Sequence, residues 1–364
     1  MIEGTADSNS RSREVTGAVR PLVMRCGAFG DMVLLTALLR QLHARVGEPV
    51  DVISSGPWTV PLLSGQPGVG EIFILHSRKA PFWLSLRQRA LAKWLRARGA
   101  GPTWFCDPGI VGRSLLQRGG IPDSYVCADA DLPQIAGEHF VDRWIRFAQE
   151  TPRAFENRLP AASTRVPSAA VLELSAASHP RLEKWLGQRG LAGRQLILVQ
   201  AGNKRTMRRG ARQRATNTKY WPEERWAVVI RALRDSRPNH AILMLGVQAE
   251  YALNADIAGL ANVGDVHNVA DDLPIEVLLP LLGQATCLVS VDTGPAHAAA
   301  ALGCPTVALF GTSDPHLYRP GGLTTPAIAL TGEIGGERTI MGIDPAAVIA
   351  AWNRLGTREV RTST

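Results

Sequence analysis

Residues 286–315, TCLVSVDTGPAHAAAALGCPTVALFGTSDP, switch period twice and so constrain the fold more than any other stretch. Cys287 to Val291 is a short apolar run rich in β-branched residues, the pattern of a buried strand. Asp292-Thr293-Gly294-Pro295 breaks it, and Pro295 suits a first helical turn, where its missing N–H has no partner to lose. Ala296 to Leu302 favours helix, Gly303 stops it, and Thr306 to Phe310 is the next strand. The order strand, acidic turn, helix, strand belongs to an α/β sheet. It puts Asp292, Thr293 and Gly294 at the carboxyl end of a strand and the amino end of a helix. Ligands bind there in open α/β sheets, and free helix N–H groups favour an anion. Thr293 and Gly294 can offer N–H groups to a phosphate, whereas Asp292, itself an anion, suits sugar hydroxyls. The competing reading makes Asp292 a simple helix cap, which Asp does well.

The same alternation runs through the chain twice. In the first half, strands are expected at 20–26, 50–54, 71–75 and 103–106, with helices at 31–46, 81–98 and 138–149. Residues 151–170 hold three prolines and no clear period, which suits a linker. In the second half, strands at 195–200 and 241–245 and helices at 180–189, 222–235, 248–260 and 274–284 lead into the stretch above. With 364 residues, more than one core is expected. The divisions are a polar disordered tail at 1–18, one Rossmann-like domain at 19–160, a second at 161–340, and a last helix within 341–364.

Bulk chemistry narrows the class. The opening MIEGTADSNSRSREVTGA has no apolar core and does not read as a signal peptide. No apolar run approaches the ~18 residues of a membrane span. Cys26, Cys106, Cys127, Cys287 and Cys304 are scattered without metal-ligand spacing, which fits a reducing cytoplasm. A net charge of +8 calls for an acidic partner. Much of that charge lies at 78–98 and 204–219. The second run, Lys204 to Arg214, reads either as a solvated loop or as a lid over an anion. Aromatic residues do not interleave it as in single-strand binders, which argues against nucleic acid. The first run sets Trp83, Leu84, Leu86, Leu91, Trp94 and Leu95 against Arg89, Lys93 and Arg96, as in a helix covering a sheet. Its alternative use is contact with an anionic membrane surface. Asp129-Ala130-Asp131 matches a metal-binding triplet, but so short a match in a loop before Pro133 reads as a surface turn. No His or Cys lies at ligand spacing from His297, which suits the positioning of Asp292.

Three further stretches hold site candidates. Gly27-Ala28-Phe29-Gly30-Asp31 follows the first strand, so Asp31 either caps a helix or faces a cleft from a strand end. Gln200-Ala201-Gly202 ends a strand and would place N–H groups in the cleft. Thr218-Lys219-Tyr220-Trp221-Pro222 precedes a helix, and Glu250 follows another strand end, where a surface helical Glu is the competing reading.

Both halves resemble glycosyltransferase family nine, the bacterial heptosyltransferases of lipopolysaccharide synthesis. The resemblance rests on RCGAFGDMVLLTALLRQL near the start, on Lys219 before Trp221-Pro222, and on DTGPAH with its Ala-rich helix, Gly-Cys-Pro and ALFGTSDP. It implies the GT-B architecture, two Rossmann-like domains facing each other across a cleft, with the last helix returning onto the first domain. It implies an inverting transfer from a nucleotide-diphosphate sugar, ADP-heptose above all, to a lipopolysaccharide core or related glycan. Asp31 carries the role of catalytic base and Lys219 that of a donor-phosphate contact. Gly202, Thr218, Glu250, Asp292, Thr293, Gly294 and His297 complete the donor side, with Glu250 on the ribose. Arg113-Ser114 after Asp107-Pro108-Gly109 resembles the acceptor stretch, and Gly30, Arg78, Lys79 and Arg113 are the acceptor-side candidates. No metal or other cofactor is implied. A cytoplasmic monomer is expected, with the inner membrane surface as a further partner. A nucleotide-sugar epimerase or hydrolase, or a silent nucleotide- or glycan-binding protein, are the rivals, and a silent binder has no need of Asp31.

Overall fold

The computed structural model describes residues 20–76, 80–107, 110–161, 168–203, 217–323 and 327–355. The first half runs β1 (Leu22–Met24), α1 (Phe29–Val46), β2 (Val50–Ser54), α2 (Thr59–Leu63), β3 (Val69–Ile74), α3 (Leu86–Arg98), β4 (Thr103–Phe105), α4 (Ile110–Arg118), β5 (Val126–Ala128) and α5 (Phe140–Phe147). Its strands pair in parallel in the order β3-β2-β1-β4-β5. Helices on both faces explain why β1, β2 and β4 are buried along their whole length. The charged exception, Asp51 in β2, is held by Arg20 (2.6 Å), Arg98 Nε (2.5 Å) and the Glu71 N–H (2.8 Å). Leu34, Leu35, Leu38, Leu39 and Leu42 bury one side of α1. Gly47 ends the helix at φ 80°, where a left-handed residue is needed.

The second half runs α6 (Ser178–Gly187), β6 (Leu196–Gln200), α7 (Glu223–Ser236), β7 (Ala241–Met244), α8 (Tyr251–Ala261), β8 (Val266–Asn268) and α9 (Ile275–Gln284). It continues through β9 (Cys287–Val291), α10 (Gly294–Ala301), β10 (Thr306–Leu309), α11 (Pro315–Tyr318), β11 (Ala327–Leu330), β12 (Glu333–Ile334), β13 (Glu337–Arg338) and α12 (Pro345–Arg354). Six of these strands form a parallel sheet in the order β11-β10-β9-β6-β7-β8. The chain starts this sheet at β6, winds outward to β8, then crosses to β9 and winds the other way. The crevice between the carboxyl ends of β6 and β9 is therefore the switch point where ligands bind in such sheets.

The two α/β units are packed together by helix on helix. α1 lies along α10, and one continuous apolar core contains residues from both. The segment after the linker laces the units: Val171 N–H donates to Thr36 Oγ1 (3.2 Å), Glu173 N–H to Gln66 Oε1 (2.9 Å) and Leu172 N–H to the Ala301 carbonyl (3.1 Å).

Some expectations shift. Helix α3 begins at Leu86 because Ser85 caps it, and residues 81–85 form a turn instead of the helix expected from residue 81. Among the described residues the closing helix, expected to return onto the first domain, makes its main contacts within the second. α12 packs on α7, β10 and β11, and Val348, Ala351 and Trp352 join the core of the second sheet. Those apolar side chains complete the face that β10 and β11 present. Among the described residues no helix is long and apolar enough to cross a membrane.

Candidate functional site

At the switch point of the second sheet, β6 ends in Gln200, a buried polar side chain that closes an apolar strand. Its Nε2 donates to the Gly202 carbonyl (2.9 Å) and to Glu250 Oε1 (3.2 Å), while the Val247 N–H donates to Glu250 Oε2 (2.9 Å). A Cβ on Gly202 would lie 2.3 Å from Glu250 Oε1, so any larger residue there would displace that carboxyl. Glu250 is 3% exposed, in the short turn before α8, and is not the surface helical residue of the competing reading. Burial pushes its carboxyl up to about 7 against the lowering effect of the Val247 bond.

Across β6, Asp292 sits buried at the end of β9. It does not cap α10. Thr293 holds the N-cap position without a side-chain cap bond, and its Oγ1 meets Ser290 Oγ at 3.0 Å. Side chains thus leave the amino end of α10 uncapped. Lys219 Nζ donates to Asp292 Oδ2 (2.5 Å) and to the Asp292 carbonyl (2.9 Å). The lysine backbone is set by Asn217, whose Oδ1 accepts the Lys219 N–H (3.0 Å). Next to it, Trp221 is buried edge-on to Trp226 and donates to the Ile343 carbonyl (3.1 Å). Thr218 is exposed, and its carbonyl lies so close to Gly311 that a Cβ there would be 1.8 Å away. His297 lies with Nε2 3.8 Å from Asp292 Oδ1, and burial depresses its imidazole to about 4 despite that carboxylate. It is neutral at physiological pH, and its Nδ1 is buried with no hydrogen-bond partner among the described residues.

The first sheet contributes Asp31, in the first turn of α1. Its Oδ2 accepts the Ala28 N–H (2.8 Å), and Ala28 is the N-cap, so Asp31 braces the helix start from inside. Its carboxylate remains substantially exposed, with Arg25 Nη2 at 3.7 Å from Oδ1. Arg25 is held in turn by the Cys106 carbonyl (2.6 Å) and lies over the Trp144 ring at 5.7 Å. The two halves meet here. A Cβ on Gly30 would lie 3.0 Å from His297 Cδ2 and 3.4 Å from Gly294 Cα, and one on Gly294 would lie 3.1 Å from the Gly30 nitrogen. Gly30, expected on the acceptor side, and Gly294, expected to face a phosphate, also form the contact of the α1–α10 seam. Asp31 and Asp292 both act electrostatically on His297.

Other candidates stand apart. Arg113 Nε donates to Asp123 Oδ1 (3.1 Å) on the outer part of α4. Arg78, Lys79, Pro108, Gly109 and the basic run 204–214 lie outside the described residues. Asp129 is tied to Arg143 (2.7 Å), and among the described residues no three His, Cys, Asp or Glu side chains are grouped to hold a metal. Arg25, Gln200 and Asn217 were not expected as individual site residues. The readable signal for Gln200 is a polar residue at the end of an otherwise apolar strand.

The arrangement therefore sets a carboxylate from one unit opposite an uncapped helix end, a lysine and a buried carboxyl from the other. Comparison with known proteins bears on what such a pair of sheets is. A lipopolysaccharide heptosyltransferase 1 of Escherichia coli (strain K12) is 33% identical over 99 residues, 27% of this chain and 30% of that protein. Lipopolysaccharide heptosyltransferase 2 of Salmonella typhimurium is 23% identical over 317 residues, 82% of this chain and 84% of that protein. Among solved structures, an E. coli ADP-heptose LPS heptosyltransferase II aligns with a TM-score of 0.69 at 21% identity, over 92% of this chain and 98% of the other. That likeness establishes the GT-B fold. The model of the family described as "Glycosyltransferase family 9 (heptosyltransferase)" matches residues 131–334, from the end of the first sheet through the whole second one. More than half of the chain lies in that match, and it belongs to glycosyltransferase family 9.

Proposed function

We propose that this chain transfers a heptose from ADP-heptose to an anionic inner-core lipopolysaccharide acceptor, with inversion and without a metal. The observation that carries the reading is the seam itself: Gly30 rests on Gly294, which brings Asp31 and the amino end of α10 to one place. Asp31 takes the proton from the acceptor hydroxyl as that oxygen attacks the anomeric carbon. The bond from that carbon to the diphosphate breaks on the opposite side, so configuration inverts. Negative charge grows on the departing diphosphate, where Lys219 and the N–H groups of Thr293 and Gly294 receive it. Lys219 exchanges Asp292 for the phosphate, and Asp292 then turns to sugar hydroxyls. Glu250 binds the vicinal hydroxyls of the ribose. The heptosyl donor is favoured because a relative similar over 82% of the chain carries the name lipopolysaccharide heptosyltransferase 2. The chain acts as a monomer and needs no nucleic acid.

The test is transfer by the purified protein from a panel of nucleotide sugars to a deacylated inner-core acceptor, with the product anomer read by NMR. Transfer from ADP-heptose with inverted configuration is expected. Retained configuration, or free sugar with no glycoside, would refute it. A thermal shift with ADP alone, raised by mass action, checks the nucleotide separately.

A further inference from the structure

The most exposed large apolar side chains among the described residues are Leu86 (74%), Trp83 (72%) and Leu84 (60%), and all three fall within four consecutive positions. They are held outward by a built turn. Leu84 and Ser85 N–H groups donate to the Pro81 carbonyl (3.1 and 3.2 Å), Ser85 Oγ accepts the Gln88 N–H, and the buried Gln88 Nε2 donates to the Ala80 carbonyl (2.9 Å). The Arg118 guanidinium lies over Phe82 at 4.6 Å and fixes the inner side of the turn. The tip therefore stays in water because the backbone leaves it no route inward.

The segment itself carries one sign of charge, the nearest acidic contact being Glu71, which accepts from Trp94 Nε1 (2.8 Å) farther along α3. Residues 80–101 contain Arg87, Arg89, Lys93, Arg96 and Arg98 and no acidic residue. Arg98 is spent on Asp51, and Arg96 donates to the Arg118 carbonyl. Arg87, Arg89 and Lys93 are exposed and make no ion pair among the described residues. An aromatic and aliphatic tip followed by exposed cations on α3 is complementary to an anionic bilayer, whose headgroups attract the cations and whose acyl boundary accepts the rings and chains.

We infer that the turn 81–86 with the first two turns of α3 docks this protein on an anionic lipid surface. The turn follows the carboxyl end of β3, the end of the sheet from which Asp31 emerges. Docking would hold the carboxylate side of the seam at the bilayer, where a glycolipid presents its sugar. That last link rests on the proposed transfer reaction; the docking does not.

The experiment is flotation of the full chain with vesicles of phosphatidylcholine, with and without phosphatidylglycerol. The wild type should float with the anionic vesicles only. Trp83→Ser/Leu84→Ser/Leu86→Ser should lose partition by roughly tenfold or more, because the inserted area is gone. Arg87→Gln/Arg89→Gln/Lys93→Gln should lose the anionic preference and its salt sensitivity. Quenching of tryptophan emission by brominated lipid that disappears in Trp83→Phe reads the same insertion in a protein with one ring exchanged. Absence of wild-type flotation overturns the inference, as does undiminished flotation of the apolar variant. Self-association lost in the apolar variant, without vesicle binding, would overturn it in favour of a second copy on the patch. Failure of heptosyl transfer leaves each of these readouts intact, so the two hypotheses fail separately.

Discussion

Burial raises the Glu250 carboxyl to about 7, so it holds its proton through mildly acidic pH. Below the usual glutamate value of 4.5, the folded and unfolded chains both hold that proton. Between 4.5 and about 7 the unfolded chain releases it and the folded chain keeps it, so stability falls as pH rises through that window and is level above it. The loss is on the order of 3 kcal/mol. Glu250→Gln should therefore raise the unfolding temperature at about pH 8 and leave it unchanged at about pH 4, while weakening ADP binding. Thermal unfolding at both pH values, with ADP titration, checks this. Asp31→Asn keeps an acceptor for the Ala28 N–H, so stability should hold; turnover should fall by roughly 10²–10⁴ with donor affinity unchanged. Near-native transfer by a folded Asp31→Asn protein would remove the base. Lys219→Ala leaves Asp292 buried without its cation and should cost about 3 kcal/mol or less, since the lysine itself is partly exposed. It should also weaken nucleoside diphosphate binding by roughly tenfold or more, read by calorimetry. An unchanged affinity would put the diphosphate elsewhere.

At the scale of elements, the seam between α1 and α10 is the most demanding contact. An added methyl on Gly294 would stand 2.4 Å from Phe29 Cδ1 as well as against the Gly30 backbone. Gly294→Ala should cost about 1–3 kcal/mol by overpacking, and it should lower turnover further by moving Asp31 off its line of attack. Equilibrium unfolding and single-turnover rates separate the two effects. These elements were legible to different degrees. The strands at 50–54 and 287–291 and the Leu-rich helix α1 follow from apolar runs and periodicity alone. β5, β8 and α2 are too short for either period to declare itself, and α4 and β11 stand beside them as elements the pattern did not separate. Trp83 and Leu84 read as a helix face because they are apolar, yet the Pro81 turn and the Ser85 cap delay α3 and leave them in water. The strand-end places of Asp31 and Asp292 were legible from their glycine neighbours, whereas Lys219 was singled out by the family resemblance. The seam, the burial of Glu250 and the Arg113–Asp123 pair were not legible, because each depends on a partner far away in the chain.

Across the whole molecule, two parallel sheets share the apolar core between them, and each has a second core on its other face. Transfer that needs no metal should persist in excess chelator; loss of rate restored by manganese or magnesium would bring Asp129 and Asp131 back as ligands. A chain laced by residues 171–173, stacked at Phe140 on Tyr318 and seated on two glycines is fastened along the seam, with the edge strand β8 standing far from it in the sheet order. If one unit swings over the other about the glycine contact, Asp31 and Asp292 stand next to the axis, one and two residues from it. Their lever arms are short, and those of the outer strands are long. The arc each group sweeps grows with that arm. Such a swing would part the outer strands while the two carboxylates hold their spacing, as scissors part at the tips and not at the rivet.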